Sequence, residues 1–423
     1  MIRVYLEHSE DSAVGYYRVW QPAYWIQKLG LADVRRLPDD NKARPIDKSA
    51  RDPILGSMQE DMEWADIASF QRRGNYLQYS LIETVYKKMG IPCVLEMDDD
   101  LINIDRHHPQ YDVYRQKNVS EVFETVTIPK WQVEEYKKKL PIVKVLGHDP
   151  DDGFAEVVIV SDYDVAWLFR NAIQEIPAMP VTTEHLANVY RKYCKNVYVL
   201  PNCIDFDIWY NLPPVRDKKE IIIGWAGGYQ HIKDFDILEP VLRAILGKYP
   251  NVSFHYAGCE TFGIEMLKRK FKKRLRYMKR VPIQTRPQRY ATWNFDIGLA
   301  PLRQSKFNEG KSNLKWLENS ARKIPTVATD IAPYQAIEHG ETGYLCKDTV
   351  EWVEVLSELI EKPELRKRIG LNAYEHIKAN YNAEKNAVKY VEAYEDIISK
   401  YKESVYVKGK ESESAGQIVV ASA

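Results

Sequence analysis

Apolar positions along this chain recur with two periods. Short β-branched runs bounded by Gly, Pro, Asn or Asp cover residues 2–7, 67–70, 92–97, 157–160, 197–200, 220–223, 252–257, 296–302 and 324–328, and each predicts a strand. Between several of them lie stretches with apolar residues at helical spacing, at 17–29, 76–89 and 235–246, and three more follow at 350–360, 364–377 and 383–402. Strand and helix therefore alternate twice over, the pattern of an α/β protein with two Rossmann-like domains. The run Val157-Val-Ile-Val160 is expected to resume the first sheet after a weakly patterned insertion at 103–156.

The first domain opens with strand, loop and helix, the helix ended by Gly30. Gly15, Tyr16 and Arg18 then fall at the carboxyl end of the first strand, where ligands of open α/β sheets bind. A lone arginine there serves either the core or a ligand. Residues 31–60 read as a connection, Thr182-Thr183-Glu184-His185 as a capped helix start, and 211–215 as a hinge. The second domain repeats the opening, with the strand at 220–223 running into Gly224-Trp225-Ala226-Gly227-Gly228. The expected boundaries are 1–210, 211–385, a crossover helix at 386–407 and a disordered Ser/Glu/Gly-rich tail at 408–423.

The densest chemistry lies at 307–345. Asn308, Glu309 and Gly310 form turns, and a helical pattern follows with Leu314, Leu317 and Ala321 on its apolar side. Lys311, Lys315 and Glu318, spaced i, i+4 and i+7, share a different face. Gly310, Lys311 and Ser312 are thus expected at a helix N-terminus, where free N–H groups and the helix dipole favour a phosphate. Gly227 and Gly228 offer a second close backbone approach to such a group, and His231 and Lys233 follow in the same loop.

Composition narrows the class. The chain has 423 residues, 45% hydrophobic and 28% charged, with zero net charge, so preference for a polyanion has to be local. One segment is strongly basic, with nine Lys and Arg residues from Lys268 to Arg280 and an apolar stripe of Leu267, Phe271, Leu275 and Met278. It reads as a helix whose outer face is either simply solvated or meets nucleic acid or an anionic membrane surface. Five scattered cysteines show no metal-ligand spacing and suit reduced thiols. Glu7, Glu10 and Asp11 interrupt the N-terminus, and no apolar run reaches spanning length, so a cytoplasmic protein, peripheral at most on a membrane, is expected. Asp98-Asp99-Asp100 ends a strand; such a pair can hold a divalent ion or serve structure or an acceptor.

The order Asp296-Ile-Gly-Leu-Ala-Pro-Leu302, GKSNLKWLE, a proline with TVAT, and Gly340-Glu-Thr-Gly343 resembles the nucleotide-sugar half of GT-B glycosyltransferases, family 4 in particular. Pro201-Asn202-Cys203-Ile204-Asp205 resembles the exit from the first domain of the same enzymes. The resemblance implies two domains facing a cleft, C-terminal helices crossing back to the first, a UDP- or GDP-sugar donor, retention of anomeric configuration and no metal requirement. It implies that Glu318 grips the ribose, and that Lys311, the Gly310–Ser312 backbone and the Gly227-Gly228 loop take the diphosphate. Family members place an arginine after the second domain's first strand and a lysine further on. Here Trp225 stands at the first position and Lys233 is displaced, with His231 its competitor. The family's second glutamate falls on Gly310, with Glu309 beside it.

Three functions fit: a retaining glycosyltransferase with a glycan, lipid-linked or small-molecule acceptor; a DNA enzyme acting on hydroxymethyl pyrimidines, as virus-encoded glucosyltransferases do; or an inactive GT-B-like binding protein. Neither glycine loop matches the dinucleotide fingerprint, which disfavours a dehydrogenase.

Overall fold

The computed structural model describes residues 1–7, 13–36, 59–71, 89–104, 123–129, 142–148, 154–160, 173–210, 220–279 and 286–420. The helix expected from residue 76, the hinge at 211–215 and Arg280 lie outside them. The chain divides into two compact units, Met1–Asn103 with Ala172–Ala423, and Ile104–Asn171.

In the first unit, strands β1 (Arg3–Glu7), β2 (Asp33–Arg36), β3 (Ile67–Gln71) and β4 (Cys93–Glu96) form a parallel sheet in the order β2-β1-β3-β4. The helical stretch after β1 starts earlier than expected. Ala13–Gly15 is already helical, Tyr16–Trp20 is a π-helical turn, and Gln21–Lys28 completes the run, so Gly15 lies in a helix rather than a loop. Gly30, at φ 63°, ends it as expected.

The expectation for Val157–Val160 is corrected. Strands β5 (Phe123–Pro129), β6 (Ile142–His148) and β7 (Phe154–Val160) make a separate antiparallel sheet in the order β5-β7-β6. A short apolar run states that it is a strand but not which sheet it joins. The first sheet is extended instead by β8 (Met179–Val181), which bridges to Val94 and Met97 at β4's edge and pairs with β9 (Val197–Val199).

The second sheet holds six parallel strands, β10 (Ile221–Gly227), β11 (Val252–Gly258), β12 (Leu275–Met278), β13 (Ile297–Ala300), β14 (Thr326–Thr329) and β15 (Tyr344–Cys346), in the order β12-β11-β10-β13-β14-β15. Alternation sends Ile221, Ile223 and Trp225 into the core on one face and Ile222 into the core on the other. Burial on both faces is why this strand reads as an unbroken apolar run. Gly227 and Gly258 face each other across the β10–β11 ladder. Gly258 has φ +102°, and a Cβ on it would lie 2.0 Å from the Gly227 carbonyl oxygen, so only glycine fits.

The basic segment is not one helix. The helix Phe262–Phe271 is capped by Thr261, then a 3₁₀ turn Lys272–Arg274 leads into β12 at the sheet edge. Arg274 explains the break, because its guanidinium donates to the carbonyls of Leu246, Tyr249 and Val252 and fixes the chain there. Leu275 and Met278 consequently belong to a strand, not to a helical stripe. Arg269, Lys270, Lys272, Lys273, Arg276 and Lys279 are exposed.

The last helix, Ala383–Val420, crosses back to the N-terminal half. Ala387, Tyr390, Tyr394 and Ile397 pack with Val4, Val19, Ala23 and Ile26. It runs on to Val420, into the stretch expected to be disordered, and no proline interrupts 383–420.

Candidate functional site

The carboxyl ends of β10 and β13 lead into two loops that meet beside Asp98–Asp100, at the carboxyl end of β4. Ser305 caps the short helix Lys306–Glu309, a turn follows, and the next helix is Leu314–Ser320. Lys311 therefore sits in the turn, not in the helix as the pattern suggested. Its side chain is only 10% exposed and lies over the Phe307 ring, 4.4 Å from its centre. Its Nζ is 2.9 Å from Asp99 Oδ1.

Next to it stands a relay that the sequence did not announce. Lys315 Nζ lies 2.9 Å from His231 Nε2, and His231 Nδ1 lies 2.8 Å from Asp234 Oδ2. An ammonium can only donate, so Nε2 must accept and the ring proton must sit on Nδ1, donated to Asp234. Burial first, then the Lys315 charge, push the imidazole pKa down to about 4, against the pull of Asp234; Lys311 adds to the downward push. The other Asp234 oxygen accepts from the Arg303 N–H at 2.9 Å and the Asn308 amide at 2.8 Å. One carboxylate thus ties the loop after β10 to the loop after β13.

This neutral histidine has a pH signature. The unfolded chain takes up a proton near pH 6.5 that the folded chain refuses until about pH 4. Stability is full above that window and is lost as pH falls through it, by up to about 3 kcal/mol. Thermal unfolding of wild type and His231→Gln between pH 7 and 4.5 should show a shallower slope in the variant.

The remaining site residues meet the N-terminal half. Glu318, 1% exposed, accepts from the Tyr17 hydroxyl at 3.2 Å. Ser312 Oγ accepts from the Asn202 amide at 3.1 Å. Gly310 packs so closely on Asp100 that a Cβ would lie 2.6 Å from the Asp100 Cβ. Glu309 Oε2 lies 3.8 Å from His185 Nε2. Asp100 is buried and accepts from the backbone and side chain of Asn103. Among the described residues no three His, Cys, Asp or Glu side chains converge on a metal-sized space.

The other candidates named from the sequence divide between this cluster and the core or surface. Lys233 is exposed, 3.8 Å from Asp236, whereas His231 is buried in the relay. Gly227 ends β10 and Gly228 follows it; their half-buried backbone borders the loop that carries His231. Trp225 turns into the core, its ring 4.9 Å from Phe235. Arg18 is also internal: it pairs with Glu96 at 2.6 Å, donates to the Leu200 carbonyl, and is 1% exposed. Gly15 is buried, and Tyr16 is half-buried against Tyr17. Sequence reasoning missed Asp99 as a lysine partner, Tyr17, Asn308 and the relay. Only the shared face of Lys311, Lys315 and Glu318 hinted at it.

The family model described as Glycosyl transferases group 1 matches residues 220–362. No curated protein matches the sequence. The fold is similar to that of HepE from Anabaena in complex with UDP (TM-score 0.60, 11% identity, 94% of this chain and 100% of that one). It is similar also to sucrose-phosphate synthase from Thermosynechococcus elongatus (TM-score 0.60, 13% identity, 95% and 100%). A third similar structure is S. aureus TarM in complex with Fondaparinux, alpha-GlcNAc-glycerol and UDP (TM-score 0.52, 16% identity, 77% and 55%), so the chain spans about half the length of TarM. The fold is therefore GT-B, and residues 220–362 are the part of the chain that matches the group 1 model.

Proposed function

We propose that the chain is a retaining glycosyltransferase of family 4 type, which binds a UDP- or GDP-sugar and transfers its sugar to an acceptor hydroxyl. The observation that carries this is that Lys311 and Lys315, held by Asp99 and His231, and buried Glu318 one helical turn on all follow β13 within the family-matched segment. That HepE and TarM were solved with UDP supports a nucleotide diphosphate as the ligand.

The chemistry asks for a group to hold the leaving diphosphate while positive charge grows at the anomeric carbon. Lys311, with the backbone of Gly310 to Ser312, supplies it from one side, and Gly227 and Gly228 border the same space. Glu318 grips the ribose hydroxyls. Glu309 faces the donor sugar beside His185. Attack from the front face lets the leaving phosphate take the acceptor proton, so neither a dedicated base nor a metal is needed. Residues 1–210 hold the acceptor and 211–385 the donor. Five buried, unbridged cysteines suit a cytoplasmic enzyme. Nucleotide release from a panel of UDP- and GDP-sugars, with the anomeric configuration of the product read by NMR, tests this. An inverted product rejects the retaining mechanism, and no release with any donor favours an inactive binding protein.

The DNA reading rests on the basic segment, which divides between a helix, a 3₁₀ turn and an edge strand. The helix Phe262–Phe271 runs back from the carboxyl end of β11, which takes Arg269, Lys270, Lys272 and Lys273 toward the amino-terminal ends of the strands, while Lys279 follows β12 at its carboxyl end. A steep loss of affinity for DNA with salt, removed by charge reversal across Lys268–Lys279, would support that reading, and no DNA binding would reject it.

Because Asp99 pairs with Lys311, a diphosphate has to compete with a carboxylate. Asp99→Asn should tighten UDP binding about tenfold, or about 1.4 kcal/mol by titration calorimetry. An unchanged affinity would place the phosphate away from Lys311.

A further inference from the structure

We propose that Lys315 is a second cation for the donor's diphosphate and that His231 is the residue that positions it, a role that presupposes the donor site above. Sequence alone ranked His231 with Lys233 as a direct phosphate contact. The geometry gives it other work. Both ring nitrogens are engaged, Nδ1 by Asp234 and Nε2 by Lys315, at 2.8 and 2.9 Å. With the proton on Nδ1, the nitrogen toward Lys315 carries a lone pair and has no hydrogen to give to a phosphate oxygen.

The base of the relay is built for holding. Asp234 is 3% exposed and receives hydrogen bonds from His231, the Arg303 N–H and the Asn308 amide. Its carboxylate fixes the imidazole, and the imidazole fixes one of the three N–H donors of a lysine in the first turn of the helix Leu314–Ser320. A lysine is a flexible point charge, so restraint at one N–H lowers the entropy lost when it meets a phosphate. Lys311 stands four residues before Lys315 and, like it, opposes proton binding by His231, so both charges act on the same imidazole. That suits a diphosphate, which carries charge on two phosphorus centres. Charged groups acting on the ring are Asp234, Lys315 and Lys311, and the neutral imidazole accepts from Lys315 without offsetting its charge.

The test compares full-length His231→Gln, His231→Arg, His231→Ala and Lys315→Ala with wild type, using UDP and GDP as binding probes and the donor that wild type hydrolyses or transfers for kinetics. Gln can donate to Asp234 and present an oxygen to Lys315; Arg cannot accept from Lys315 but could contact a phosphate itself. The expected order of donor affinity is wild type near His231→Gln, then His231→Ala about tenfold weaker, with His231→Arg and Lys315→Ala weaker still. In the weakened variants KM for the donor should rise and kcat should fall, and the pH profile of kcat/KM between 5.5 and 8 should be the same in His231→Gln as in wild type. Rescue by Arg but not by Gln, or loss of a pH inflection in the Gln variant, would make His231 the phosphate contact and overturn the positioning role, while leaving the donor site standing. Normal binding by Lys315→Ala overturns the second cation. If wild type binds neither nucleotide, both the donor site and the relay's role fall together.

Discussion

Lys311→Ala should lower turnover by about 10²–10³-fold and weaken nucleotide binding, the scale of removing one preorganised charge from a leaving group. The side chain is 10% exposed, packed over Phe307 and directed at Asp99, so its charge acts in a partly water-excluded place. Loss of activity could also follow from damage to the fold, because the variant takes away the lysine that Asp99 faces. A double variant, Lys311→Met with Asp99→Asn, separates the two. It removes both charges of the pair, so thermal stability should return toward wild type while turnover stays lost. Recovery of turnover in the double variant would mean that Lys311 serves only to neutralise Asp99.

Arg18→Met should destabilise the protein by about 3–5 kcal/mol, because it strands the Glu96 carboxylate in the core. Arg18 and Glu96 are 1% and 0% exposed, and the guanidinium also serves the Leu200 carbonyl and lies 5.8 Å from the Tyr390 ring of the crossover helix. Replacing both members, Arg18→Met with Glu96→Gln, should recover a good part of the loss, measured by denaturant unfolding. Arg18 would return as an acceptor contact if the single variant kept its stability and lost only acceptor affinity.

What the sequence made legible was periodic. Alternation and glycine punctuation located four of the six strands of the second sheet, all but β12 and β15, and the spacing of Lys311, Lys315 and Glu318 singled out three candidate residues, of which only the last two lie in the helix. The readings left open and the one overturned share a cause. Arg18 lies at the expected end of β1, but position along a strand does not say whether a side chain turns inward or toward a ligand. Trp225 stands in the place of a family arginine, although its alternation with Ile221 and Ile223 already assigns it to the core. The basic segment keeps a helical apolar spacing through Met278, yet three carbonyl contacts by Arg274 and an open sheet edge outweigh it. Contacts such as Asp99–Lys311 and Tyr17–Glu318 join residues more than 200 positions apart, which no local pattern encodes.

The most direct measurement is thermal unfolding of wild type and Lys311→Ala with a panel of UDP- and GDP-sugars, each with and without EDTA. A rise in midpoint with one donor, unaffected by EDTA and absent in the variant, is the expected result. Equal stabilisation of the variant would contradict a phosphate site at Lys311, and a rise that needs metal would move the donor's diphosphate toward Asp98 and Asp100.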